Sequence, residues 1–97
     1  MDFTGKTAIS TGAASGMGLL FAQNFAELGG NVVMCDVNKE VLNKCIEEIN
    51  AKGKGKAVGV ICDVRDYEQV CRARDEAVES FGSIDVMCNF AGGTAVR

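Results

Sequence analysis

A glycine-rich segment near the N-terminus carries the clearest chemical signal in the sequence. Gly12, Gly16 and Gly18 form the spacing G-x-x-x-G-x-G, with Ser15 and Met17 between them. A glycine turn that leads from a strand into a helix presents backbone N–H groups at the positive end of the helix dipole, where a pyrophosphate can bind without a basic side chain. The spacing differs from G-x-G-x-x-G and from the P-loop. It predicts a nucleotide site, and the alternative is a tight turn that only allows close packing of helix and strand.

Two aspartates each end a predicted strand further along the chain. Asp36 lies 24 residues after Gly12 and 18 after Gly18, at the end of the second strand, and Asp63 ends the third. In a parallel nucleotide-binding sheet, an acid at the position of Asp36 binds the adenosine ribose hydroxyls, and ligands lie at the ends of the strands. We expect Asp36 to bind the ribose and Asp63 to contact the adenine amino group. The alternative is that each acid only caps a turn or a helix.

Asp36 also predicts which dinucleotide binds. A 2′-phosphate at ~4 Å from its carboxylate would be disfavoured by up to ~4 kcal/mol at an effective dielectric constant near 20. Ser15, Val37 and Asn38 supply no compensating cation. The sequence therefore predicts a preference for NAD(H) over NADP(H) of about 100-fold or more after solvent screening.

The elements that must position these groups alternate between strand and helix. Short apolar runs are typical of buried parallel strands, and apolar residues three and four positions apart are typical of helices. The predicted elements are strand 7–11, helix 19–28, strand 31–35, a helix from the N-cap Asn38 to about Lys52, strand 57–62, a helix capped by Asp66 that ends before Gly82, and strand 84–88. Strands joined by single helices run parallel, with right-handed crossovers. We expect a doubly wound, Rossmann-like α/β fold of three layers, as a single domain over residues 1–97.

Composition argues against several classes of function. The chain has 97 residues, a formal net charge of −3 and no histidine. The acidic balance argues against a nucleic-acid partner, and the apolar runs are far shorter than the ~20 residues of a membrane span. Five widely spaced cysteines without a C-x-x-C pair predict free apolar thiols and no metal site. The N-terminus has no secretory signal, so we expect a cytoplasmic protein.

Four segments together resemble the short-chain dehydrogenase/reductase family in its classical NAD(P)-dependent form. The segment T-G-A-A-S-G-M-G at 11–18 is similar to the family motif T-G-x-x-x-G-x-G, and N-F-A-G at 89–92 is similar to N-N-A-G, with Phe90 in place of the second Asn. Segments 35–36 and 62–64 also match. The resemblance implies an oxidoreductase that moves a hydride between NAD and an alcohol or carbonyl substrate. The cofactor-binding residues it implies are Gly12, Ser15, Gly16, Met17 and Gly18 at the phosphates, Asp36 and Val37 at the adenosine ribose, Asp63 and Val64 at the adenine, and Asn89, Ala91 and Gly92 at the nicotinamide ribose.

The resemblance also implies groups that this chain does not contain. The catalytic Ser and Tyr-x-x-x-Lys of the family follow the fourth strand, whereas the only tyrosine here, Tyr67, has Cys71 four residues later. We therefore expect no catalytic residue here, and a cofactor-binding N-terminal half that is inactive alone. The implied strand order, 3-2-1-4, leaves the fourth strand as an apolar edge unless more chain or another copy pairs with it. A homo-oligomer is expected at full length. The alternative function is a non-catalytic dinucleotide-binding module, or a truncated product, that acts as a sensor or scaffold.

Overall fold

The computed structural model describes residues 2–90, which form a four-stranded parallel sheet with helices on both faces. The order of elements along the chain is β1 Thr7–Thr11, α1 Gly16–Glu27, β2 Asn31–Asp36, α2 Lys39–Lys52, β3 Lys56–Ile61, α3 Tyr67–Phe81 and β4 Val86–Asn89. The order across the sheet is β3-β2-β1-β4, and all three pairs of neighbouring strands are parallel. The predicted Rossmann-like α/β fold and its strand order are confirmed.

Three elements begin at residues other than the predicted ones: α1, β4 and, by one residue, β3, which spans Lys56–Ile61 in place of 57–62. Helix α1 begins at Gly16 and not at Leu19, so the last two glycines of the motif lie in its first turn and not in a loop before it. Strand β4 begins at Val86 and not at Ile84. Asp85, just before it, has mixed pairing with β1: its backbone N–H donates to the Thr7 carbonyl oxygen at 2.8 Å, while the Thr7 N–H donates to its side-chain Oδ2 at 2.9 Å and not to a backbone carbonyl. Glycine has a low intrinsic preference for helices, which the packing of α1 against β1 overrides, whereas the low preference of aspartate for strands agrees with the later start of β4.

The core lies on both faces of the sheet because successive residues of a strand point to opposite sides. Ala8, Val32 and Met34 pack under α1 and α2, whereas Ile9 and Val33 pack under α3. Every residue of β1 is buried. This central strand therefore fixes the position of both helical layers, and its C-terminal end leads directly into the glycine segment, residues 12–18.

Two predictions from the composition concern the state of the cysteines and the length of the apolar segments. All five cysteines are free thiols, and three of them are buried: Cys35, Cys45 and Cys62. The longest helix, α3, has 15 residues. Within residues 2–90, no helix is long and apolar enough to cross a membrane.

Candidate functional site

A cavity of about 530 Å³ lies where the C-terminal ends of β1 and β4 meet the start of α1. We call it the glycine-segment cavity. Its lining residues are Gly12, Ser15, Gly16, Met17, Gly18, Asn89 and Phe90. All of these except Phe90 are cofactor-binding residues predicted from the sequence. The parallel pairing of β1 with β4, in which Thr11 is opposite Asn89, brings the two distant segments together.

The glycines of the segment meet two different steric requirements. A Cβ at Gly18 would lie 2.4 Å from the carbonyl oxygen of Gly12 and 2.7 Å from that of Thr11, so no other residue fits there without moving the backbone. Gly12 and Gly16 have φ values of 61° and 58°, in the left-handed region that glycine adopts most readily. The segment therefore folds tightly enough to bring the start of α1 against the end of β1.

The first turn of α1 is available to an anion. Its N-cap, Ser15, has extended backbone and makes no side-chain hydrogen bond to the turn. The first N–H groups of a helix have no partner within the helix, and a phosphate can accept hydrogen bonds from them where a capping side chain does not. Because Ser15, Gly16, Met17 and Gly18 line the cavity, these donors lie at its surface.

Two hydroxyl groups of β1 hold the cavity in shape, and neither was among the predicted site residues. The Ser10 Oγ donates a hydrogen bond to the carbonyl oxygen of Gly18 at 3.0 Å. The Thr11 Oγ1 donates to Asn89 Oδ1 at 2.7 Å and accepts the N–H of Phe90 at 3.0 Å. The sequence did contain a signal, since these are polar residues at the end of an apolar, fully buried strand. They tie α1 and the end of β4 to the central strand.

Asp36 ends β2 beside the glycine segment. Its Oδ2 accepts the N–H of Ala14 and its Oδ1 accepts the N–H of Asn38, each at 3.0 Å. An ionised carboxylate offers about four acceptor positions, so both oxygens can accept a further hydrogen bond. The bond to Asn38 shows that Asp36 also caps the turn after β2. Its neighbour Val37 is 65% exposed.

Asp63 lies one strand further out, two residues after β3 ends at Ile61, and does not line the glycine-segment cavity. Its carboxylate is held by Arg65: the backbone N–H and Nε of Arg65 donate to Oδ1 at 3.0 Å, and Nη2 donates to Oδ2 at 2.7 Å. The side-chain hydrogen bonds from Arg65, followed by the backbone one, lower the pKa of Asp63 to about 2. The half-buried Val64 follows it. Arg65 was not singled out from the sequence.

The predicted positions therefore form a row along the carboxyl ends of the strands. The glycine-segment cavity lies at β1, Asp36 at β2 and Asp63 at β3. Phe90 packs its ring against that of Phe21 on α1, with the ring centroids 6.0 Å apart, which gives the cavity an apolar side. The predicted contacts of Ala91 and Gly92 lie outside the described residues.

Relatives of known activity resemble this chain over almost its whole length. A family model described as short chain dehydrogenase matches residues 6–97. The chain is 41% identical over 92 residues to 1-deoxy-11-beta-hydroxypentalenate dehydrogenase of Streptomyces exfoliatus, a match that covers 95% of this chain and 33% of that protein. It is 37% identical over 89 residues to 7alpha-hydroxysteroid dehydrogenase of Escherichia coli K12, with 92% and 34% covered. The chain thus spans about a third of the length of these relatives.

Solved structures agree with the fold. A short-chain dehydrogenase/reductase from Burkholderia phymatum, in complex with NAD, superposes with a TM-score of 0.84 at 37% identity, over 90% of this chain and 31% of that one. L-sorbose reductase from Gluconobacter frateurii, complexed with NADPH and L-sorbose, superposes with a TM-score of 0.83 at 30% identity, over 90% and 33%. Together with the glycine segment on its parallel sheet, these matches show that the chain belongs to the short-chain dehydrogenase/reductase family.

Proposed function

We propose that this chain is the NAD(H)-binding part of an oxidoreductase that acts on an alcohol or carbonyl substrate. The observation that carries the proposal is the row formed by the glycine-segment cavity, Asp36 and Asp63 along the strand ends. The relatives named above are dehydrogenases, and the solved neighbours were crystallised with NAD or NADPH, which supports a nicotinamide dinucleotide as the ligand.

Each part of the row has a role that its chemistry suits. The first-turn N–H groups of α1 would hold the pyrophosphate, and the missing side chain at Gly18 keeps α1 close enough for this. Asp36 would accept hydrogen bonds from the ribose hydroxyls, with Val37 beside it, and Asp63 with Val64 would border the adenine. Asn89, whose Oδ1 is already held by Thr11, would contact the nicotinamide ribose together with Ala91 and Gly92.

The preference for NAD(H) over NADP(H) rests on charge. The two solved neighbours contain one cofactor each, so they favour neither. Here the Asp36 carboxylate accepts only from backbone N–H groups in the described structure, and Arg65 is engaged with Asp63. A 2′-phosphate at Asp36 would therefore meet a negative charge without a cation to offset it.

The chemical step needs groups beyond those that bind the cofactor. The bound nicotinamide would donate or accept the hydride. Tyr67 is 77% exposed at the start of α3 and is not among the residues that line the glycine-segment cavity, so we assign it no catalytic role. We propose that catalytic residues and the substrate pocket belong to the part of the full-length protein that corresponds to the other two-thirds of its relatives. A cytoplasmic location and a homo-oligomeric state are part of the same proposal.

Calorimetry with the full-length protein tests this function. NADH should bind about 100-fold or more tightly than NADPH, and NADH at a hundredfold excess over its dissociation constant should stabilise the fold by about 2.7 kcal/mol. Folded protein that gives neither heat nor a melting shift with NADH or NADPH would overturn the proposal. NAD reduction during incubation with a panel of secondary alcohols would separate an enzyme from a binding module that does not catalyse.

A further inference from the structure

Several hydrogen bonds hold the turn between β3 and α3 in place, although much of the turn is exposed. The N–H of Asp63 donates to Gln69 Oε1 at 2.7 Å, and the N–H of Asp66 donates to the Asp63 carbonyl oxygen at 2.9 Å. Gln69 Nε2 in turn donates to Asp66 Oδ2 at 3.0 Å. The backbone of Asp63 is therefore fixed on both sides before its carboxylate meets any ligand.

The side chain of Arg65 fixes the carboxylate itself through a fork of two donors, Nε and Nη2, each bonded to one carboxylate oxygen. Three donors of Arg65 occupy three of the roughly four acceptor positions of the Asp63 carboxylate, two on Oδ1 and one on Oδ2. One acceptor position remains, on Oδ2. The side chain of Asp63 is 31% exposed, so part of it is open to solvent.

We propose that Arg65 is a positioning residue for base recognition: it orients the Asp63 carboxylate so that the remaining acceptor on Oδ2 takes one N–H of the adenine amino group. The inference rests on the proposed function, because it assumes that the dinucleotide lies along the row of strand ends. It adds to that function the reason why the site would select adenine. A hypoxanthine base carries a carbonyl oxygen in place of the amino group, and two acceptors cannot form a hydrogen bond.

The contact geometry, and not burial, distinguishes this pair from an ordinary surface ion pair, since the Arg65 side chain is 88% exposed. Exposed pairs contribute little unless the contact is bidentate and well ordered. Arg74 and Asp75 on α3 form such an ordinary pair, with a single contact of 3.3 Å between two exposed side chains. Arg65 instead forms a two-atom fork of 3.0 and 2.7 Å on an acid whose backbone is already held. Arg74 therefore supplies a matched control.

The test compares two dinucleotides on the full-length protein. Calorimetry gives the ratio of the dissociation constants of nicotinamide hypoxanthine dinucleotide and NAD. We expect a preference for NAD of about tenfold or more in the wild type, the range of a hydrogen bond to a charged group. Arg65→Met should reduce the ratio to within about threefold, Arg65→Lys should restore it only in part because an ammonium lacks the fork, and Arg74→Met should leave it unchanged.

A second readout separates positioning from a general loss of structure. The carboxyl group of Asp63 should titrate at about 2 in the wild type by NMR, and its pKa should rise toward the usual value of ~3.9 in Arg65→Met. Asp63 is ionised at pH 7 in both proteins, so a changed ratio at that pH does not come from protonation of Asp63. In Asp63→Ala, which removes the acceptor, adding Arg65→Met should change the ratio no further.

The outcomes distinguish this inference from the proposed function. NAD binding with an unchanged ratio in Arg65→Met, or a wild type that binds both dinucleotides equally, would overturn the role of Arg65 and leave the proposed function standing. A folded wild type that does not bind NAD would overturn both. A ratio that falls in Arg65→Met and not in Arg74→Met supports the positioning role.

Discussion

Asp36 ends β2 and Asp63 follows the neighbouring strand β3, yet the structure surrounds their carboxylates with different groups. Asp36 accepts only backbone N–H groups in the described structure, so no cation offsets its charge. Asp63 is paired with a guanidinium. At the level of single residues, this difference predicts different tasks: an unpaired carboxylate repels a 2′-phosphate, whereas a paired and oriented one recognises a hydrogen-bond donor.

Replacing Asp36 tests the first of these tasks. Asp36→Ala should weaken NADH binding by ~1.5–3 kcal/mol, because hydrogen bonds to a charged acceptor are lost. The substitution should also reduce the ratio by which the protein prefers NADH to NADPH. Calorimetry with both cofactors measures the two effects. Glu40→Gln, which removes an exposed charge from the first turn of α2, is the control and should change neither. An unaltered NADH affinity in Asp36→Ala would mean that Asp36 only caps the turn after β2.

At the level of elements, the site depends on how closely α1 approaches β1. The Ser10 hydroxyl holds the first turn of α1 through the carbonyl oxygen of Gly18, and the absence of a side chain at Gly18 permits this distance. Thr11 does the same for the end of β4. The cavity therefore depends on the junctions of β1 with α1 and with β4, and widening either junction should impair it.

The close approach at Gly18 gives a prediction about both stability and binding. In Gly18→Ala the new Cβ would meet backbone atoms 2.4–2.8 Å away, which should lower the free energy of unfolding by about 1–3 kcal/mol and weaken NADH binding by about tenfold or more. Urea unfolding and calorimetry measure the two quantities.

Gly53 provides the control for that prediction. It caps α2 with a φ of 75° and has open space around its Cβ position. Gly53→Ala should lower the free energy of unfolding by about 1–2 kcal/mol through backbone strain alone and should leave NADH affinity unchanged. Equal losses of affinity in the two variants would show that general destabilisation, and not the junction, impairs binding.

At the level of the whole molecule, the edge of the sheet formed by β4 is apolar and has no further strand beside it within residues 2–90. β4 pairs with β1 on one side, and Val86 and Met87 are 37% and 52% exposed. A cavity of about 200 Å³ between α3 and β4, with Ile84 and Met87 among its lining residues, continues this apolar surface. Exposed apolar strand edges favour pairing with further strands.

This edge predicts how residues 1–97 behave when they are produced by themselves. We expect self-association through β4, with Met87→Lys increasing the monomer fraction severalfold because a charge at the edge opposes pairing. Sedimentation velocity measures the change. Val41 is 41% exposed on α2, away from the edge, and Val41→Lys is the matched control that should have no such effect. A monomer in the unmodified segment would contradict the prediction.

Most of the fold could be predicted from local patterns in the sequence. The apolar runs and helical spacings gave the order of elements, and Asn38 and Asp66 cap α2 and α3 as predicted. These signals are local because capping and periodicity involve residues within one or two turns of each other. The boundaries of α1 and β4 were missed because they depend on contacts with β1, which lies far away in the chain.

The residues of the candidate site also fall into two groups, those that sequence patterns indicate and those that only the structure reveals. The glycine segment and the two aspartates can be identified in the sequence, because a glycine-rich strand–helix turn and an acid at a strand end are chemical signals that need no partner to be recognised. The roles of Ser10 and Thr11 in holding the cavity together, and of Arg65 in occupying most of the Asp63 carboxylate, are visible only in the folded chain. Those roles come from the directions in which side chains point once the strands are aligned. No spacing along the chain encodes the 2.7 Å between Thr11 and Asn89, because it exists only after β1 and β4 have paired.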